Sequence, residues 1–310
     1  VKAVDINGTP QVWFGSGSPN CPEVRDASVT SYEKMVKTEG ITGILVDGCR
    51  FASPASGLMP FLTDFSEYSR KKAEELDFDF ALMKRDVSLL YDALKGVESS
   101  AKRSCNWLSA PAGLTEWLVA HPGIYEWLRF RRACATEHFR TLSEIIHGAG
   151  LRMGVYIFTP CLAPLVGQSY EDLCGFVDVF APMIYRNYPD RPGPACLNWE
   201  LAELPLELQC DGAAHEATVM NMILSWAGFA DLNLERRVAA VQRALPPSAV
   251  GRETQRARAL VGNKELAPII YIDDPEMAAT AEGVRAAGAD GINFFVYKDN
   301  WADMTRPAFS

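Results

Sequence analysis

The chain lacks any pair of cysteines at Cys-x-x-Cys spacing, which argues against a zinc ribbon or a thioredoxin-like redox centre. It has only four histidines, His121, His138, His147 and His215, and none falls in a His-Glu-x-x-His pattern. No metal site and no cofactor are therefore expected. There is no Gly-x-Ser-x-Gly elbow of the kind that exposes a nucleophilic serine. The lone Gly15-Ser16-Gly17 has neither the strand before it nor the helix after it that a phosphate loop needs. No apolar run reaches the length of a membrane span and no leader-like segment is present, so a membrane partner is not expected. Positive charge is in deficit: 30 Lys and Arg against 39 Asp and Glu leave a net charge of −9. That sign argues against nucleic acid or an anionic surface as the default partner, and it is compatible with neutral ligands such as sugars.

What is present is the composition of an ordinary globular protein, 48% hydrophobic and 22% charged over 310 residues. This length suits one large domain, or at most two. Several of the eight cysteines (Cys21, Cys49, Cys105, Cys134, Cys161, Cys174, Cys196 and Cys210) sit in apolar runs. They are expected as free thiols acting as small core hydrophobes, because a chain of this size does not depend on disulfides. The first residue is Val1 rather than methionine. If the N-terminus is complete, the absence of a leader places the protein in the cytoplasm.

Residues 1–28 are turn-rich, with Cys21-Pro22 breaking regular structure and only Gln11–Phe14 able to pair as a strand. A helix is expected from a cap at Ser28 or Thr30 to Gly40. The run Ile41–Asp47 is nearly continuous apolar and reads as a parallel strand buried on both faces. Cys49–Pro60 reads as loop, followed by helical stretches over 61–76 and 79–94. In 123–149 the residues Phe130, Cys134, His138, Leu142, Ile145 and Ala149 recur at helical spacing and predict a long amphipathic helix. Strands follow at Leu151–Phe158 and Phe176–Ile184, and then a long loop excursion over 187–212. Helices dominate 215–261, with 217–226 ambiguous between helix and strand. Two more strands, Ala267–Ile272 and Gly291–Val296, flank a helix over 275–287.

Strand and helix alternate, and the strands are continuous apolar runs, so the sheet is parallel. The reading is a single domain, a TIM-type (β/α) barrel represented mainly by its last five βα units. A closed barrel has eight strands, so the first units are expected to precede Val1. In such a fold the site lies at the C-terminal ends of the strands. Those ends offer Asp47 and Arg50; Tyr156 and Thr159; Tyr185, Arg186 and Tyr188; Tyr271, Asp273 and Asp274; and Tyr297, Lys298 and Asp299. Carboxylates and aromatics on one rim suit a sugar. Asp47 reads equally as a nucleophile or base and as an aspartate that caps a loop or holds Arg50 in an ion pair. Asp273 reads as a helix cap somewhat more readily than as a catalytic group.

With these residues in view, the chain resembles the glycoside-hydrolase-like (β/α)8 barrels distantly related to the α-amylase superfamily. The resemblance rests on ordered segments: Cys21-Pro22-Glu23-Val24-Arg25, Gly43–Phe51, Trp127–Arg132, Gly154–Pro160, Val177–Tyr185 and Gly288–Tyr297. It implies that the series begins at the fourth barrel strand. It also implies that Asp47 occupies the place of a glycosidase nucleophile, with Arg50, Arg131 and Tyr185 around it. The fifth-strand position of the usual second carboxylate holds Tyr156, Phe158 and Thr159 instead. Glu200 or Glu203, from the following loop, or Asp273 stands as the alternative partner. The expectation is a hydrolase acting on an oligo- or polysaccharide by carboxylate catalysis, with Asp47, Asp273 and Glu200 as catalytic candidates. Arg50, Arg131, Tyr156, Tyr185, Arg186, Tyr297 and Asp299 are the substrate-binding candidates. The alternatives are a barrel that binds glycan without cleaving it and an unrelated barrel enzyme acting on a small phosphorylated metabolite.

Overall fold

The computed structural model describes residues 2–12, 17–99, 111–191, 193, 195–207 and 213–309. A short antiparallel ribbon, β1 (Ala3–Val4) with β2 (Pro10–Gln11), precedes helix α1 (Pro22–Met35). This corrects two expectations. Cys21-Pro22 opens the helix rather than breaking structure, because a proline at the first helical position has no N–H to leave unpaired. Ser28 then lies inside the helix and not at its cap. Among the described residues of the doubtful strand Gln11–Phe14, Gln11 pairs, and it does so away from the main sheet. Trp13, Phe14, Gly15 and Ser16 lie outside the described residues, as do Cys105 and Cys210.

The main sheet is parallel and curled into a half-barrel. Its path runs β3 (Gly43–Val46), β4 (Arg152–Phe158), β5 (Val179–Met183), β7 (Ile269–Tyr271) and β8 (Asn293–Phe295). The two-residue β6 (Glu265–Leu266) pairs with the start of β5, and Ala267-Pro268 separates it from β7. The expected strands are therefore present in the expected order, each somewhat shorter than its apolar run.

Between these strands lie α2 (Leu58–Phe61), α3 (Glu67–Glu75), α4 (Phe80–Ser99), α5 (Pro111–Ala120), α6 (Gly123–Gly148) and α7 (Tyr170–Leu173). They are followed by α8 (Leu197–Glu207), α9 (Ala213–Trp226), α10 (Val238–Arg243), α11 (Pro247–Val261), α12 (Met277–Ala286) and α13 (Trp301–Thr305). Helix α8 falls inside the stretch read as a loop. It forms because Leu197, Leu201 and Ala202 recur at helical spacing and are fully buried, a signal obscured by the polar residues around them. The ambiguous 217–226 segment is helical.

Side chains alternate across each strand. Val46, Met153, Val155, Ile157, Phe180, Leu266 and Ile270 belong to one core with Phe139, Leu142 and Ile146 of α6. Burying each of these larger side chains contributes roughly 2 kcal/mol. The α6 face turns slightly from the expected one: Phe139 and Ile146 are buried, while Ile145 is half-buried and Ala149 exposed. On the concave face a Cβ at Gly154 would lie 2.4 Å from Leu45 Cδ2 and 3.3 Å from Val179 Cβ, so the Leu45 side chain would have to move to admit one.

A second apolar cluster joins Phe51, Phe61, Leu62, Met83, Trp127 and Phe130. At its centre Arg131 is fully buried. Its guanidinium lies 3.9 Å from the Trp127 ring centroid and 4.9 Å from that of Phe51. It donates to the carbonyls of Thr63 (Nε, 3.1 Å) and Leu165 (Nη1, 2.7 Å) and to that of Phe61. Burial lowers its pKa, and the charge of Asp64 opposes that shift. Replacing Arg131 with Met would leave the carbonyls of Phe61 and Leu165 without these donors and Thr63 O with the Trp127 indole N–H at 3.1 Å. Arg131→Met is expected to lose about 3–5 kcal/mol in guanidinium chloride unfolding at pH 7.

Candidate functional site

At the C-terminal ends of the strands the concave face forms a cleft of about 270 Å³. Its walls include Asp47 and Arg50 after β3, Tyr156 on β4, and Tyr185 and Tyr188 after β5. Cys196 at the head of α8 and Asn293 and Phe295 on β8 also line it. Asp47 is exposed and stands in the turn that ends β3. Its Oδ1 accepts from the N–H of Gly48 at 2.7 Å, and Gly48 takes a positive φ of 81° that suits glycine at this sharp turn. The Arg50 guanidinium lies 4.9 Å from the Phe158 ring centroid and donates to Phe51 O at 3.3 Å. Burial lowers the pKa of Arg50, while Glu200 and then Asp47 act in the opposite direction.

The aromatic residues form one connected set. Tyr185 stacks on Phe295 with centroids 4.9 Å apart and planes at 26°. Tyr188 meets Tyr271 edge-on at 5.2 Å. Helix α8 holds these rings in place. Leu197 N donates to Tyr185 O at 2.8 Å, and the side chains of Asn198 and Trp199 both donate to Tyr188 O at 2.9 Å. Burial raises the pKa of Tyr156, with Asp47 adding to the effect, so its phenol stays protonated.

Glu200 is placed differently from a group that reaches a ligand. It is buried on α8 and is not among the described residues lining the cleft. One oxygen accepts from Ala55 N at 2.8 Å and the other from Ala195 N at 2.7 Å. The carboxylate thus ties the loop after β3 to the loop after β5. Burial pushes its pKa up to about 7, against the bonds from Ala55, Ser53 and Ala195 and the charge of Arg50. Glu203, also buried, pairs with Arg191. Asp273 pairs with Lys298 and accepts from the Tyr271 hydroxyl at 3.3 Å.

Arg186 and Asp274 form a buried ion pair beneath the rim. Arg186 also donates to Leu245 O at 2.6 Å, and Asp274 accepts from Thr280 Oγ1 at 2.6 Å. The helix-side role considered for Asp273 is filled by Asp274, which accepts from Glu276 N at 2.8 Å. Tyr297 and Asp299 are exposed beyond β8 and outside the lining. The structure therefore brings Asp47, Arg50, Tyr156 and Tyr185 together at one cleft, while Arg131, Arg186 and Glu200 are engaged in holding backbone or partner charges. Cys196, Asn293 and Phe295 were not singled out from sequence. Alternation along 291–296 would have found Asn293 and Phe295, because residues 293 and 295 share a face.

Behind Asp47 and Arg50 a second hollow is lined by Arg25, Ser28, Cys49, Cys134 and His138, among others. Cys49 is buried, and burial pushes its thiol up to about 12, which makes it a poor nucleophile. His138 Nε2 lies 3.1 Å from Ser28 Oγ. No group of His, Cys, Asp and Glu among the described residues is arranged to hold a metal ion.

Burial, with the Arg25 charge as a second cause, lowers the His138 pKa from 6.5 to about 4. A lowered value means that the folded state disfavours the imidazolium. The stability associated with His138 is complete above pH 6.5 and is lost as pH falls through about 4. That loss is on the order of 3 kcal/mol. His138→Gln, which cannot titrate, is expected to lose correspondingly less stability between pH 7 and pH 4. Denaturant midpoints of the two proteins at both pH values measure this.

No family model matches the chain, and no curated protein or solved structure matches it either.

Proposed function

We propose that the cleft binds carbohydrate and that the protein is a glycoside hydrolase with Asp47 as its catalytic carboxylate. The observation that supports this reading is the placement of one exposed carboxylate at the strand ends, beside Tyr156, Tyr185, Tyr188 and Phe295. Aromatic faces pack against the apolar faces of pyranose rings, and a carboxylate at the mouth can meet the positive charge that develops at the anomeric carbon. Arg50 supplies a donor next to Asp47 for a sugar hydroxyl.

Two-carboxylate hydrolysis also needs a group that protonates the leaving oxygen, about 5–5.5 Å from the first carboxylate for retention or about 6.5–9.5 Å for inversion. Glu200 has the protonation behaviour of a general acid, but it is held between Ala55 N and Ala195 N. Asp47 is the only carboxylate among the described residues lining the cleft. That observation favours a second reading, a barrel that binds glycan without cleaving it. A phosphorylated ligand fits less well, because Arg50 is the only cation among the same residues.

A panel of oligosaccharides assayed for both binding and product release separates these readings. If the protein is a hydrolase, Asp47→Asn is expected to bind glycan with the fold intact and to turn it over at least about 1000-fold more slowly. Retained turnover in that variant rules out Asp47 as the catalytic group. Saturable binding by the unaltered protein with no product selects the binding-only reading. In either case Phe295→Ala is expected to weaken binding about 2–10-fold through loss of aromatic contact, as isothermal titration measures.

A further inference from the structure

Just beyond the cleft, the segment after β8 carries aromatic side chains outward into water. Phe295, at the end of the strand, lines the cleft and is 37% exposed. Tyr297 is 78% exposed, and Trp301, the first residue of α13, is 51% exposed. A single apolar side chain on a surface is ordinary. Three large aromatics in one short segment at the mouth of a cleft mark a contact surface.

The segment is fastened to the strand ends that build the cleft. Trp301 N donates to Lys298 O at 3.0 Å, which closes a tight turn and keeps Trp301 near Tyr297. Lys298 pairs with Asp273, two residues beyond β7. Asp273 in turn accepts from the Tyr271 hydroxyl at 3.3 Å, and Tyr271 meets Tyr188 of the cleft wall edge-on. On the far side, Thr305 Oγ1 donates to Trp301 O at 2.9 Å, and Arg285 of α12 donates to Ala308 O. A backbone fixed in advance leaves less to be ordered when a ligand binds.

Charge around the turn selects the occupant. Lys298 is matched by Asp273 and Arg306 by Asp303, so both cations of the segment 297–306 are already paired. Asp299 is exposed and adds negative charge. An anionic membrane or a nucleic acid would be repelled here. A neutral glycan suits the turn, because its apolar ring faces pack on aromatic rings while its hydroxyls tolerate neighbouring carboxylates.

We propose that Tyr297 and Trp301 form an outer platform for sugar units beyond those in the cleft, so that the ligand is a neutral glycan chain of several units. This rests on the carbohydrate reading of the cleft and specifies the length of what it takes. The cleft itself, at about 270 Å³, is smaller than the roughly 300–1,000 Å³ usual for small-molecule sites. It holds a short piece of chain and leaves the remainder at the mouth, over the end of β8. In strand order β8 is the edge opposite β3, after which Asp47 stands. The platform therefore grips units away from Asp47 and contributes affinity rather than chemistry, so it lowers KM and leaves kcat alone.

Isothermal titration with disaccharides and hexasaccharides of the cello-, malto- and xylo- series tests this. The unaltered protein is expected to bind the hexasaccharide of its preferred series at least about 10-fold more tightly than the disaccharide. Tyr297→Ala and Trp301→Ala are each expected to weaken hexasaccharide binding about 3–10-fold and disaccharide binding less than about 2-fold. Trp301→Phe, which keeps a ring, retains most of the affinity. Both side chains are exposed, so the unfolding temperature of each variant is expected to stay within about 2 °C of the unaltered protein. Equal affinity for the two lengths, or hexasaccharide binding that neither alanine variant weakens, overturns the platform and leaves the carbohydrate reading of the cleft standing. Failure of the unaltered protein to bind any of these sugars overturns that reading and the platform with it. A concentration-dependent dimer that Trp301→Ala abolishes, seen by analytical ultracentrifugation, makes a second copy the occupant and overturns the platform alone.

Discussion

Five strands that run in one direction cannot be joined by hairpins, so every connection must cross the sheet, and here helices cover its convex face. That requirement organises the molecule. Helix α6 carries the chain from the α1 side of the sheet to β4, and its apolar stripe covers Val155 and Ile157. The same direction places every strand's C-terminal end on one rim. Asp47, Tyr156 and Tyr185 come from separate strands, distant in sequence, and meet there because parallel register leaves no other arrangement. The cleft is a consequence of strand direction before it is a consequence of any single side chain.

Buried charge then decides how firmly the rim is held. Arg131 gathers the carbonyls of Phe61, Thr63 and Leu165, which belong to segments on either side of α6. Arg186 and Asp274 join the end of β5 to the entry of α12. Glu200 bridges the loops after β3 and β5 through two backbone amides. Each of these groups is removed from water and held by buried partners, so each fixes loop position more than it offers a site for chemistry. Three groups expected as site residues, Arg131 among them from the family resemblance, are in this way part of the frame around the cleft. Among the groups that line it are a carboxylate, a guanidinium, a set of tyrosines with Phe295, and Asn293 and Cys196. It is this contrast, buried charges held in the frame below and an exposed carboxylate at the cleft above, that directs attention to Asp47.

Legibility from sequence followed the strength of local periodicity. The strand over 151–158 and the helix over 123–149 were readable because their apolar residues repeat at spacings that only one element satisfies. Helix α8 was not, because Asn198, Glu200 and Glu203 break the stripe with polar groups. Those groups are buried by the loops they hold rather than by a hydrophobic face. The start of α1 was misplaced because proline was read as a breaker, when at the first helical turn it is tolerated. At the rim, Asp47, Arg50, Tyr156 and Tyr185 were legible as strand-end residues. Which of the remaining polar residues would face the cleft was not, because their partners lie as far as 145 positions away, as Glu200 does from Ala55.

By itself the sequence determined the alternation of strand and helix, the parallel direction of the sheet and the absence of local metal-ligand and phosphate-loop patterns. Each of these follows from residue type and spacing within a few turns or strand repeats. Only the tertiary structure decided that Arg131, Arg186 and Glu200 are consumed by backbone and ion-pair contacts while Asp47 remains open to solvent. The physical reason is that burial and hydrogen-bond satisfaction depend on which distant segments converge. Local patterning states that a side chain is charged, and packing alone decides whether that charge is already paired.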